Sequence, residues 1–293
     1  MSEKIYCGEP YEHKLISKNG RAVTLDNGVT LPFIELGEEN SEIIVVGSAS
    51  FHTYTMVLDE LAKKYHVYGF IMRMANDADE PGEVFDEDGD VLWTRQWGMD
   101  IYDATQKLGL EKFHYVGKCM GVTPGYWLLR NHPETLLSFS SIDQALHCVD
   151  ADADDWNRLQ KEQGREFTLL TVRKKDSLKH MAVEVAAIDI NPGRLAGSKG
   201  NYFGSHSELV CDSREECIEL LKNNEVPIFY LFPTDDILYN DFLSANLWAF
   251  NNTKNSRTVL LQGERHMFEL DMPLGLAREV LTFLDFIQNP LDD

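Results

Sequence analysis

Residues 113–121 read Phe113-His114-Tyr115-Val116-Gly117-Lys118-Cys119-Met120-Gly121. The stretch 112–116 (KFHYV) is rich in aromatic and β-branched residues, the composition of a strand. Residues 122–131 carry helical periodicity. A strand therefore runs into Gly-x-Cys-x-Gly, and a helix follows. That is the setting of a nucleophile elbow, with cysteine where serine is usual. The turn needs both glycines. It forces its central residue into a strained conformation, and small neighbours let strand and helix approach. A thiol that opens a helix also gains thiolate character from the helix dipole.

Working outward, 42–46 (EIIVV) is an unbroken apolar run, the mark of a strand buried in a parallel sheet. Helical periodicity at 54–65, a strand at 66–73 and a helix at 97–108 lie between it and the elbow. Downstream, 135–142 (TLLSFSSI) is a strand, 226–232 (VPIFYLF) and 258–262 (TVLLQ) resume the sheet, and 273–287 gives a C-terminal helix. Upstream, 13–36 reads as a β-hairpin and a third short strand, turning at Lys18-Asn19-Gly20 and Asp26-Asn27-Gly28. Alternating strand and helix predict an α/β fold, a mainly parallel sheet flanked by helices on both faces. Ligands then bind at the carboxyl ends of the strands. Residues 146–221 break the rhythm with charged helix-prone stretches and a Gly-rich segment, and are read as an inserted helical cap. The expected organisation is a core first part at 1–145, a cap or lid at 146–221, and a core second part at 222–293.

Two further residues fall at strand ends. Pro233-Thr234-Asp235-Asp236 follows VPIFYLF, and Gly263-Glu264-Arg265-His266 follows TVLLQ. The nucleophile, acid, histidine order is that of the elbow enzymes. The hairpin, EIIVV with its loop, GKCMG, PTDD and GERH together resemble the α/β-hydrolase superfamily, the cap-bearing kind. The cysteine at the elbow resembles dienelactone hydrolases and polyhydroxyalkanoate synthases. The resemblance implies Cys119 as nucleophile, His266 as its base, and Asp236 as the acid that fixes the histidine tautomer. Pro233 stands where that family has the glycine of its acid turn, which favours Asp236 over Asp235. Two departures stand out. Gly47-Ser48-Ala49-Ser50 replaces the usual His-Gly after the first parallel strand, and 74–90 replaces the usual Asp-x-x-Gly-x-Gly loop. The oxyanion is expected at the backbone N–H of Met120 and of Ser48. His52 is a candidate substrate contact or a helix-packing residue. Lys118 either lowers the thiol pKa or points to solvent.

Lys and Arg total 27 and Asp and Glu total 48, so the net charge is −21. Such a surface repels phosphate backbones and anionic membranes, which excludes nucleic acid and lipid head groups as expected partners. The expected partner is a small-molecule acyl substrate. Neither a cofactor nor a metal is expected. Asp86-x-Asp88-Gly89-Asp90 lacks the spacing and closing glutamate of a calcium loop, and Cys211 and Cys217 read as cap-helix residues rather than a zinc pair. Five cysteines without CxxC spacing fit reduced thiols and a cytoplasmic protein. Three functions share this constellation: hydrolysis of an ester, lactone or thioester through an acyl-enzyme, acyl transfer to coenzyme A or a growing chain, and non-catalytic ligand binding.

Overall fold

The structure, a computed structural model, describes residues 20–48, 54–73, 93–143, 172–174, 177, 210–211, 213–236 and 242–289. Its frame is one eight-stranded sheet in the order β1-β2-β4-β3-β5-β6-β7-β8. The strands are β1 (Gly20–Thr24), β2 (Thr30–Leu36), β3 (Ile43–Ser48), β4 (His66–Ile71), β5 (Phe113–Lys118), β6 (Leu136–Ile142), β7 (Ile228–Pro233) and β8 (Ser256–Leu261). β1 and β2 pair antiparallel, as do β2 and β4, and every pairing from β4 through β8 is parallel. Among the described residues, the expected mainly parallel sheet is therefore present, with an antiparallel edge at β1 and β2.

Among the described residues seven α-helices accompany it: α1 (Thr55–Leu61), α2 (Trp93–Lys107), α3 (Val122–Asn131), α4 (Arg214–Asn223), α5 (Phe242–Asn252), α6 (Phe268–Asp271) and α7 (Pro273–Gln288). The period of two along each strand sends alternate side chains to opposite faces. Val45, Tyr115, Tyr230 and Phe232 join Ile101 and Ala104 of α2, Tyr126 and Leu129 of α3, and Cys217 and Leu221 of α4. Ile44, Val46, Val116, Phe229 and Leu231 join Val57, Leu58 and Leu61 of α1 and Leu276, Val280 and Phe283 of α7. The sheet is thus covered on both sides, which explains the continuous apolar runs.

Most of the expected cap, 146–221, lies outside the described residues. Its described tail enters α4, whose Cys217 and Leu221 are buried in the first of these two cores. Cys217 is disulfide-bonded, whereas Cys119 carries a free thiol. The expectation of uniformly reduced cysteines is corrected at Cys217. A disulfide depends on which Cβ atoms the fold brings close, and sequence spacing does not reveal that. Among the described residues no helix is long and apolar enough to cross a membrane.

Candidate active site

Cys119 sits immediately after β5, at the start of a 3₁₀ turn (Cys119–Gly121) that leads into α3. Its φ is 52°, in the left-handed region. An L-residue held there carries strain of about 1–3 kcal/mol, which only a well-determined surround maintains. The two glycines supply that surround. A Cβ on Gly117 would lie 2.2 Å from the Gly121 carbonyl oxygen, and one on Gly121 would lie 2.1 Å from the Gly47 carbonyl oxygen. The Tyr115 hydroxyl donates to the Gly121 carbonyl at 2.8 Å, tying strand to turn. Gly121→Ala should therefore push the end of β3 away from the elbow. The expected cost is about 1–3 kcal/mol of stability, read by urea denaturation, with slower alkylation of Cys119.

The same contacts bring the end of β3 to the elbow. A Cβ on Gly121 would come within 3.9 Å of the Ser48 Cα. Ser48 thus lies beside the turn that carries Cys119 and Met120. His52 lies outside the described residues.

His266 follows β8 and is buried. Its Nδ1 donates to Asp236 Oδ2 at 2.9 Å, just beyond β7. Asp235, the neighbouring alternative, is exposed and accepts instead from Thr234 Oγ1 at 2.9 Å. A second carboxylate, absent from the sequence reading, stands at the same nitrogen. Asp143, directly after β6, places Oδ2 2.8 Å from His266 Nδ1 as an ion-pair contact. Asp143 is completely buried, and its φ is 70°. Among the described residues, Cys119 and Asp143 are the two non-glycine residues with positive φ.

Lys118 completes the cluster. Its side chain is only 11% exposed, and its Nζ lies 3.1 Å from Asp143 Oδ2 and 3.3 Å from Glu269 Oε2 of α6. The ammonium also sits over the Phe268 ring, 5.4 Å from its centroid. Of the two orientations open to it from sequence, Lys118 takes the inward one. Burial works against its charge, but the Glu269 and Asp143 carboxylates outweigh that and hold its pKa above the ordinary lysine value.

His266 shows the same balance. Burial lowers its pKa, Lys118 lowers it further, and Asp143, Asp236 and Cys119 together raise it well above the ordinary value. The carboxylates thus favour the charged form of the imidazole against the burial that opposes it. Burial pushes Asp143 up to about 6, against the pull of His266 and Lys118.

Asp143, Asp236 and His266 each offer a ligand atom, all within 4.8 Å of one another. The Lys118 ammonium already supplies a cation to Asp143 there, so the donor set suits an ion-pair network better than a metal. A fragment of the expected cap is tied to the histidine loop. Backbone N–H groups of Arg173 and Lys174 donate to Asp271 at 2.6 and 3.0 Å, and Ser177 Oγ donates to it at 2.5 Å. Arg173 also pairs with Glu264 at 2.8 Å.

Strand order, a strained residue between β5 and α3, and an acid and a histidine beyond β7 and β8 define the α/β-hydrolase fold. Solved structures carry the same fold across nearly the whole chain. A serine hydrolase from the polyaromatic-hydrocarbon-degrading bacterium Cycloclasticus zankles aligns with a TM-score of 0.68 at 12% identity, covering 94% of this chain and 99% of its own. A meta-cleavage product hydrolase from Pseudomonas fluorescens aligns at 0.68 and 16% identity, covering 92% and 98%. The naproxen esterase of Bacillus subtilis aligns at 0.64 and 16% identity, covering 90% of each chain. No protein-family model and no curated protein sequence matches the chain.

Proposed function

We propose that the protein is a cysteine-nucleophile hydrolase that cleaves a small-molecule ester, lactone or thioester through an acyl-enzyme on Cys119. The observation that carries this reading is a thiol at the strained elbow position, on a sheet whose buried histidine turns Nδ1 to two carboxylates at 2.8 and 2.9 Å. A serine nucleophile needs a neutral base to take its proton. A thiol is acidic enough to surrender its proton to the imidazole beforehand, so a charged His266 suits cysteine. The thiolate attacks the acyl carbonyl, the oxyanion forms near the backbone of Met120 and Ser48, and the imidazolium protonates the leaving group. Water then attacks the thioester, and Cys119 leaves as thiolate. The esterases and hydrolases that share the fold favour water as the acceptor.

The test is intact-mass analysis after mixing with p-nitrophenyl acetate. One acetyl adduct is expected, decaying in buffer at the turnover rate. An adduct that persists in buffer and leaves only on adding coenzyme A or an alcohol marks an acyltransferase. No adduct across a panel of activated esters and thioesters marks a binding protein.

A further inference from the structure

One N–H faces two carboxylates at His266, and one of the two is anchored from behind. The Nδ1–H is directed at Asp236, while Asp143 approaches the same nitrogen from the end of β6. Two carboxylates this close repel each other unless cations lie between them. Here the cations are the imidazolium and the Lys118 ammonium, which reaches Asp143 from the residue next to the nucleophile. Asp143 takes a left-handed conformation, one that aspartate adopts more readily than most non-glycine residues. Its Oδ1 is buried with no hydrogen-bond partner. Such an arrangement is costly as pure scaffolding, and it aims a charge at one ring atom.

We infer that Asp143 is a second positioning carboxylate for His266, anchored by Lys118, and that it shares with Asp236 the task of holding the imidazole charged and correctly oriented. The groups facing His266 are then Asp143 from β6, Asp236 from the β7 loop, Lys118 and Cys119 from the elbow, and Glu269 beyond Lys118 from α6. Neither acid alone is decisive. If Asp236 loses its charge, Asp143 still lies within contact of Nδ1. If Asp143 is neutralised, Asp236 retains the hydrogen bond, and Lys118 turns to Glu269.

The inference rests on the Cys119–His266 reading, and one experiment separates the two. Iodoacetamide alkylation of Cys119 and p-nitrophenyl acetate turnover are followed against pH in wild type, Asp236→Asn, Asp143→Asn, the double variant and His266→Ala. The His266 ring is titrated by NMR in the first three. Where a triad has a single acid, its removal costs about 10⁴-fold in turnover. Here each single Asp→Asn change is expected to cost about 10²-fold or less, and the double variant about 10⁴-fold. In Asp236→Asn the His266 titration should stay above the ordinary histidine value of about 6.5. In Asp143→Asn the alkaline limb should move to lower pH, and Asp143→Glu should restore it. A loss of about 10⁴-fold in Asp236→Asn, with rate and alkaline limb unchanged in Asp143→Asn, would overturn the inference while leaving the triad intact. If Asp143→Asn does not fold, the Asp236→Asn titration decides alone. An unchanged alkylation profile in His266→Ala would remove the Cys119–His266 reading and this inference with it.

Discussion

Cys119→Ala protein should form no acyl adduct and should turn over p-nitrophenyl acetate about 10⁴-fold or more slowly than wild type, since removing a nucleophile takes away a whole mechanism rather than one interaction. The sharper expectation concerns Cys119→Ser. The fold neighbours include serine hydrolases, so on geometry alone serine is the native-like choice. The charges argue otherwise. Asp143 and Asp236 lie 2.8 and 2.9 Å from His266 Nδ1 and favour its protonated form, and an imidazolium cannot accept the proton of an alcohol. Cys119→Ser should therefore lose about 10²-fold or more in kcat/KM despite its near-identical shape. Recovery should come only at high pH, where the imidazole becomes neutral. Steady-state kinetics across pH decide this, and a serine variant as active as wild type at neutral pH would sink the ion-pair reading.

The second large effect is on stability. Arg73, at the end of β4, is 0% exposed and meets Asp100 of α2 through two bonds, at 2.7 Å from Nε and 2.6 Å from Nη2. Gln96 donates to the same carboxylate at 3.1 Å, and the Trp97 indole N–H donates to the Arg73 carbonyl at 2.6 Å. Asp100→Ala takes the doubly bonded carboxylate away from a buried guanidinium. The expected cost is about 3–5 kcal/mol, seen as a lowered urea midpoint. Replacing both partners by apolar residues, Arg73→Met with Asp100→Leu, should recover part of the loss, because the guanidinium is no longer buried beside a missing carboxylate. A midpoint in Asp100→Ala that matches wild type would show that the pair contributes little.

Much of the framework was legible from residue pattern because both faces of the sheet are buried. Strands 42–46 and 226–232 show as unbroken apolar runs, and the helices between show a three-to-four residue period. The elbow was legible because its chemistry demands glycines at fixed spacing around one residue. Asp143 was not, because a lone acid after TLLSFSSI matches no motif. The strand-end rule that drew attention to Asp236 and His266 applies equally to Asp143, and that was the available signal. Lys118 could not be oriented from sequence, because its inward position depends on Glu269 arriving from α6 far along the chain. The cysteine pairing at Cys217 is likewise a property of tertiary proximity. The expected contact at His52 and most of 146–221 fall outside the described residues.

The Tyr115–Gly121 hydrogen bond has a consequence for how activity is lost. The hydroxyl that braces the elbow belongs to the strand that delivers it, and its ring is packed in the central core. The reactive conformation is thus coupled to folding of the middle of the sheet. Inactivation by heat or denaturant should follow the same transition as the near-ultraviolet signal of the buried aromatic rings, rather than precede it as a local loosening would.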